Sequence, residues 1–201
     1  MRGTETVLNS QVTTVVFDIG ETLIDETMMW TRAAANAGVT PFTLMAVLGA
    51  TIERGVHHNE TWSILGVEHP EGTWVDEDWY PDAVPCIERL REAGYRVYAV
   101  GNTPQFVEED VGVHVEVLGS SERWQIWKPD PRFFARIVEA VSVAPAKIAY
   151  VGDRVDNDVG PALAAGMVGV HIKRGPWGYL QAPPAAAITI DSLDDLPAVL
   201  Q

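Results

Sequence analysis

Thr13–Asp25 reads TTVVFDIGETLID, and its two halves ask for different structures. TTVVF is β-branched and aromatic, the composition of a strand buried on both faces. It ends abruptly at Asp18, with Gly20 and Thr22 close behind. An Asp so placed stands at the rim of a sheet. Asp and Gly after a strand ordinarily just make a turn, so the chemistry of this stretch depends on what else reaches the same rim.

Outward from it, strand and helix signals alternate. Tyr95–Val100, Val113–Leu118, Lys147–Val151 and Val168–Ile172 read as further strands, with Ala187–Ile190 as a short additional one. A helix starts near Asp82, sets Ile87 and Leu90 at helical spacing and stops at Gly94. Pro131–Val141 places Phe133, Phe134, Ile137, Val138 and Val141 on one face. Asp156–Ala165, closed by Gly166, and Asp191–Leu200 are the remaining helices. This alternation predicts an α/β fold, a Rossmann-like parallel sheet with helices on both faces. Ligands bind such sheets at the carboxyl ends of the strands. Asp18, Gly101 with Asn102, and Gly152 with Asp153 all end strands and should converge there.

Residues 25–79 lack the strand alternation. Met28–Ala37, Pro41–Arg54 and His57–Leu65 read as helices, the second with Phe42, Met45, Leu48 and Ile52 on one stripe. Four of the seven tryptophans fall here (Trp30, Trp62, Trp74, Trp79) and are expected in a core rather than on a ligand platform. The expected organisation is a core of residues 1–24 and 80–201 with a small helical insert at 25–79.

Composition excludes several classes. A formal net charge of −14 repels nucleic acid and anionic membranes, so neither is an expected partner, and an anionic substrate would need local positive charge. No stretch approaches the ~18 continuous apolar residues of a membrane helix. The N-terminal MRGTETVLNSQVTT has no apolar run of a signal peptide, so a cytoplasmic location is expected. Cys86, the single cysteine, rules out an intrachain disulfide and reads as a buried structural thiol. The sequence indicates no oligomeric state.

Two further segments carry candidate chemistry. GDRVDND, Gly152–Asp158, places three carboxylates on one short loop. Their repulsion calls for a cation, and oxygen ligands suit magnesium; acids complementing a helix N-terminus are the alternative, most plausible for Asp156. WKPDPRFF, Trp127–Phe134, puts Lys128 before a helix start. That lysine is either solvated in its loop or balances carboxylates and a phosphate at the rim.

The order Asp18, Gly101–Thr103 (GNT), Lys128, then Asp153 and Asp158 resembles the ordered motifs of the haloacid dehalogenase (HAD) superfamily, from about Thr13 to His171 without the insert. The stretches YPDAVPCIERLREAGYRV and VGDRVDNDVGPALAAGM resemble it too. The resemblance implies a hydrolase, a phosphatase acting on a small phosphorylated metabolite. Asp18 would be the nucleophile that forms an aspartyl-phosphate. Mg²⁺ would be held by Asp18, the Gly20 carbonyl and Asp153, with Asp158 as a further ligand or acting through water. Lys128 would neutralise Asp18 and the phosphoryl oxygens. Glu21, Thr22, Asn102 and Thr103, largely through backbone amides near Gly20, Glu21 and Asn102, would bind the substrate phosphate. The insert would be the family's helical cap.

Two departures qualify this expectation. Phosphatases of the family carry a second Asp two residues after the nucleophile, where this chain has Gly20; that Asp protonates the leaving oxygen, a contribution of about 10²–10⁴ in rate. Glu21 could replace it only by turning inward. The family's Ser or Thr at the end of the second strand is Gly101, with Thr103 offering a hydroxyl two residues later. A slow enzyme, or one restricted to good leaving groups, is therefore expected. A catalytically weak protein that binds a phosphorylated ligand or partner is the alternative. A 2-haloacid dehalogenase is disfavoured by the acidic loop, which would repel a haloacid carboxylate. His57 and His58 are expected on a surface helix, Arg154 in an ion pair, and Lys173, Arg174 and Trp177 either in a plain loop or at the substrate rim.

Overall fold

The computed structural model describes residues 12–70 and 75–201; Trp74 and residues 1–11 lie outside that range. After β1 (Thr14–Phe17) come three helices, α1 (Thr27–Asn36), α2 (Pro41–Glu53) and α3 (Glu60–Leu65). Then follow α4 (Ala83–Glu92), β2 (Arg96–Gly101), α5 (Val107–Gly112), β3 (Glu116–Ser120), α6 (Ser121–Trp124) and α7 (Pro131–Val141). The chain closes with β4 (Ile148–Gly152), α8 (Gly160–Ala164), β5 (Val168–Ile172), α9 (Gly175–Leu180), β6 (Ile188–Ile190) and α10 (Leu196–Val199).

The six strands form one sheet in the order β3-β2-β1-β4-β5-β6, and every neighbouring pair is parallel. The β-branched run of β1 is buried throughout because it lies in the middle, covered on both faces. Val15 and Phe17 join one apolar cluster with α4, α5 and α10; Val16 points the other way, into a cluster with Phe133, Phe134 and Ile137 of α7 and Tyr150 of β4. Phe17 is in register with Ala99 of β2 and Val151 of β4, so Asp18 emerges level with the ends of both neighbours. Cys86 is fully buried on the inner face of α4, and burial pushes its thiol up to about 12, which leaves it inert.

The three helices after β1 pack around a third, separate cluster of Trp30, Ala33, Ala34, Leu44, Leu48, Ile52 and Trp62, joined by Trp177 of α9. Backbone hydrogen bonds from Asp25 N to Asp78 O (2.7 Å) and Tyr80 N to Leu23 O (2.9 Å) clasp the two ends of this excursion together. On α2 the buried stripe is Leu44, Leu48, Thr51 and Ile52, while Phe42, expected inside, is 85% exposed. The helix is turned so that Leu44, not Phe42, starts the i, i+4, i+8 row.

Several boundaries differ from the sequence reading, among them α3, which begins at Glu60 rather than His57. β3 begins at Glu116 rather than Val113, because α5 fills Val107–Gly112 and leaves Val113 exposed at its end. The helix expected from Asp156 starts as a widened turn over Val155–Val159 before α8. The terminal helix is short, preceded by a tight turn whose Ser192 and Asp195 cap one another.

Candidate active site

The ends of β1, β2 and β4 bring together residues far apart in the chain. Asp18 N donates to Val151 O at 2.8 Å, which fixes the first carboxylate against the fourth strand. Lys128 is 5% exposed and donates through Nζ to Asp18 Oδ1 and Asp158 Oδ1, both at 2.6 Å. Asn102 holds the lysine's backbone from both sides: its Oδ1 accepts from Lys128 N (2.8 Å) and its Nδ2 donates to Lys128 O (3.0 Å). Tyr150 OH lies 3.3 Å from both Lys128 Nζ and Asp158 Oδ1. Asp158 is wholly buried, and Arg154 N donates to its second oxygen at 3.2 Å. This arrangement needs Gly152: a Cβ there would lie 2.6 Å from Asp158 Cβ.

Asp18, Asp153 and Asp158 offer oxygens that all lie within 4.8 Å of one another. Burial pushes Asp18 up to about 6, helped by Asp158 and opposed by Lys128. Asp153 is held well above the usual carboxylate range, first by burial and then by Asp158 and Asp18. Burial pulls Lys128 down, but Asp158 and Asp18 outweigh it and raise the ammonium. One lysine therefore bridges two of three buried carboxylates, and Asp153 Oδ2 is buried with no hydrogen-bond partner.

A cavity of ≈ 290 Å³ opens at this point. Asp18, Gly20, Glu21, Asn102, Thr103, Lys128 and Asp153, all singled out in the sequence, line it. Asp158 sits behind Lys128. Thr22 is the exception: its side chain is fully buried outside the cavity, because the turn after β1 folds it inward. Among the described residues the N–H groups of Gly20 and Asn102 make no hydrogen bond and remain available to an anion. The Glu21 N–H, also expected to face phosphate, instead donates to Ile24 O at 2.8 Å and closes the turn. Thr103 Oγ1 is buried and unpartnered on a residue that lines the cavity, two residues after the glycine that ends β2. A Cβ at Gly101 would lie 3.1 Å from Ile19 and 3.3 Å from Thr103 Cγ2, so the two positions share one space.

The far wall is aromatic. Trp30 and Trp62 stack at 6.1 Å, and His58 meets Trp30 and Trp177 edge-on at 6.4 and 6.0 Å. His58, expected on a surface helix, is thus packed into the cavity wall, where burial pulls it down to about 4. Arg154 is ion-paired to Asp156 at 2.7 Å and lies 4.8 Å over the Trp177 ring, still lining the cavity. Of the KRGPWG segment only Trp177 reaches the cavity. Arg174 pairs with Asp82 and donates to Thr22 O, and exposed Lys173 lies over Tyr179.

Two residues of the site had no sequence signal of their own. Tyr150 sits in a strand otherwise read as core. Glu26 stands at the N-terminal end of α1, yet its side chain makes no cap for that helix and lines the cavity. Its Oε2 accepts from Trp30 Nε1 at 3.1 Å, and burial, followed by Glu21, pushes it up to about 8. Glu21 itself accepts from Tyr80 OH at 2.6 Å and from Glu26 N at 3.1 Å.

A parallel sheet whose first strand leads into an aspartate, bridged by lysine to a second acid in the turn after the fourth strand, is the architecture of HAD-type hydrolases. The chain belongs to that family: the haloacid dehalogenase-like hydrolase model matches residues 12–166. It is 35% identical over 104 residues to a glyceraldehyde 3-phosphate phosphatase of Methanopyrus kandleri (49% of this chain, 45% of the relative). It is 30% identical over 129 residues to an (S)-2-haloacid dehalogenase of a Pseudomonas species (60% and 56%). The matches thus span about half the length of these curated relatives. Among solved structures, the HAD-hydrolase YfnB of Bacillus subtilis superposes with a TM-score of 0.70 at 14% identity, over 96% of this chain and all of that one, a likeness of fold.

Proposed function

We propose that this chain is a magnesium-dependent phosphohydrolase acting on a small phosphorylated metabolite through an aspartyl-phosphate at Asp18. The observation that carries this reading is Lys128, buried between Asp18 and Asp158 beside the unpartnered Asp153 oxygen. The all-oxygen donor set and its surplus negative charge fit a hard divalent cation, held by Asp18, Asp153 and the Gly20 carbonyl with Asp158 behind. Bound there, Mg²⁺ would supply charge stabilisation to the phosphoryl oxygens. The chain's own groups do the rest. An Asp18 oxygen attacks phosphorus, Lys128 offsets the charge on both, and the Gly20 and Asn102 amides with the Thr103 hydroxyl orient the phosphoryl group. Residues 25–79 act as a cap over the core of 1–24 and 80–201, with the tryptophan wall excluding water.

The haloacid dehalogenase reading is disfavoured by Asp153. An unpartnered acid at the cavity repels a substrate carboxylate, whereas a cation reconciles it with a phosphate. The test is hydrolysis of p-nitrophenyl phosphate with and without Mg²⁺, in wild type and Asp18→Asn. Metal-dependent turnover lost in the variant supports the reading. Turnover of 2-chloropropionate without metal would replace it. Loss of the carboxylate at position 20 restricts the enzyme to good leaving groups unless another carboxyl stands near the leaving oxygen.

The raised carboxyls also set a pH dependence. Stability from their protonated forms is present below the unfolded values of 3.8 for Asp18 and 4.5 for Glu26, and is lost as pH rises through about 6 and about 8 respectively. The metal-free protein should therefore lose Tm from about pH 5 to about pH 8, and Mg²⁺ should raise Tm more at the upper end. Calorimetric scans across that range check both; a metal-free Tm that climbs with pH contradicts the charge imbalance.

A further inference from the structure

We propose that Glu26 is the proton-exchanging carboxyl of this enzyme, delivered from the start of α1 into the space left open by Gly20. The proposal rests on the phosphohydrolase reading above. A Cβ at Gly20 would lie 2.9 Å from Glu26 Cδ and closer still to its Oε1. The Glu26 carboxyl therefore fills the volume that a side chain at position 20 would occupy, two residues from Asp18 and on the cavity wall.

Elimination among the neighbouring carboxyls points the same way. Asp18 is the nucleophile. Asp158 is held by Lys128, Tyr150 and Arg154 N, and Asp153 belongs to the cation site. Glu21 has both oxygens engaged, by Tyr80 OH and Glu26 N. Glu26 is different: Trp30 Nε1 orients Oε2, and Oε1 has no hydrogen bond among the described residues. One oxygen is fixed and the other is free to exchange a proton with a ligand in the cavity. The segment also orders itself, since the Glu21 carboxylate that holds the Glu26 amide is anchored in turn by Tyr80.

In the first step an Asp18 oxygen forms a bond to phosphorus as the bond from phosphorus to the leaving oxygen breaks. The electron pair goes to that oxygen, which takes the proton of the Glu26 carboxyl and departs as an alcohol. In the second step Glu26 carboxylate takes a proton from water as the water oxygen bonds to phosphorus. The phosphorus–Asp18 oxygen bond breaks, its electron pair returns to Asp18, and inorganic phosphate leaves with Glu26 protonated again. With this group in place the enzyme is not confined to activated esters.

The experiment compares wild type and Glu26→Gln, each with Mg²⁺, on phosphate monoesters of graded leaving-group pKa, in steady state and in single turnover. Gln keeps an oxygen for Trp30 but carries no exchangeable acid. Wild type should turn over alkyl phosphates. Glu26→Gln should lose about 10²–10⁴-fold on them. With p-nitrophenyl phosphate it should instead release a burst of nitrophenol and accumulate phosphoenzyme. The exchange variant Gly20→Asp/Glu26→Ala should recover at least about tenfold over Glu26→Ala, which separates the carboxyl's role from folding. Loss within threefold on every ester, equal loss on alkyl and aryl esters without phosphoenzyme, or no recovery in the exchange variant overturns the assignment of Glu26. A wild type inactive on all phosphate esters overturns the reading beneath it instead.

Discussion

Asp18→Asn is expected to abolish Mg²⁺-dependent phosphate-ester hydrolysis, by on the order of 10⁴–10⁶-fold, while leaving the metal-free protein at least as stable as wild type. The loss follows from removing the only carboxylate that ends β1 at the cavity; deleting a nucleophile acts on this scale in other hydrolases. The stability expectation follows from the sign of its pKa shift. Asp18 is pushed up to about 6, so the fold disfavours its charge even with Lys128 2.6 Å away. Asn keeps an oxygen for Lys128 and takes away the repulsion from Asp158. Activity and stability should thus move in opposite directions, as at sites where function is bought with strain. Thermal scans of the metal-free proteins beside the p-nitrophenyl phosphate assay read both. A Tm lowered by several degrees would mean that the Asp18–Lys128 pair stabilises the fold on balance, against this account.

Much of this site was legible because strand ends are legible. A β-branched run that stops at Asp18 and an apolar run that stops at Gly152 each fix where the next side chain emerges, and parallel pairing sets them level. The helix after Lys128 was readable from Asp130, which accepts from Arg132 N, and from Pro131 at the first turn. What escaped depends on the path of irregular backbone. Glu21 has a positive φ of 51°, and the tight turn around it sends Thr22 into the core and commits the Glu21 amide to Ile24. No periodicity describes such a turn. Nor does spacing reveal that Glu26 returns to the place of Gly20, since that requires the direction in which α1 leaves the sheet. Phe42 shows the same limit on a helix: period gave a stripe, and only packing against Trp30 and Trp62 decided which of two adjacent stripes faces inward.

Lys128→Met should cost both stability and rate, and the two losses should separate in a double variant. Lys128 is the one cation that donates directly to Asp18 and Asp158 among the described residues, and it is buried with them. Removing one partner of a buried pair leaves an uncompensated charge, at a cost of about 3–5 kcal/mol. Here two carboxylates are left facing each other with Asp153 close by, so the upper part of that range is expected in metal-free protein at neutral pH, read as a lower urea midpoint. Lys128→Met/Asp158→Asn should recover most of it, because the second change removes the fully buried one of the two charges that Lys128 offset and Asn still accepts from Arg154 N. Activity should not recover. Lys128 is the group that balances Asp18 as it approaches an anionic phosphoryl group, and losing such a donor costs about 10²–10³ in rate whatever the stability. A double variant that regains turnover along with its urea midpoint would reduce Lys128 to a counter-ion for Asp158. One that regains the midpoint alone assigns the lysine to the chemistry at Asp18.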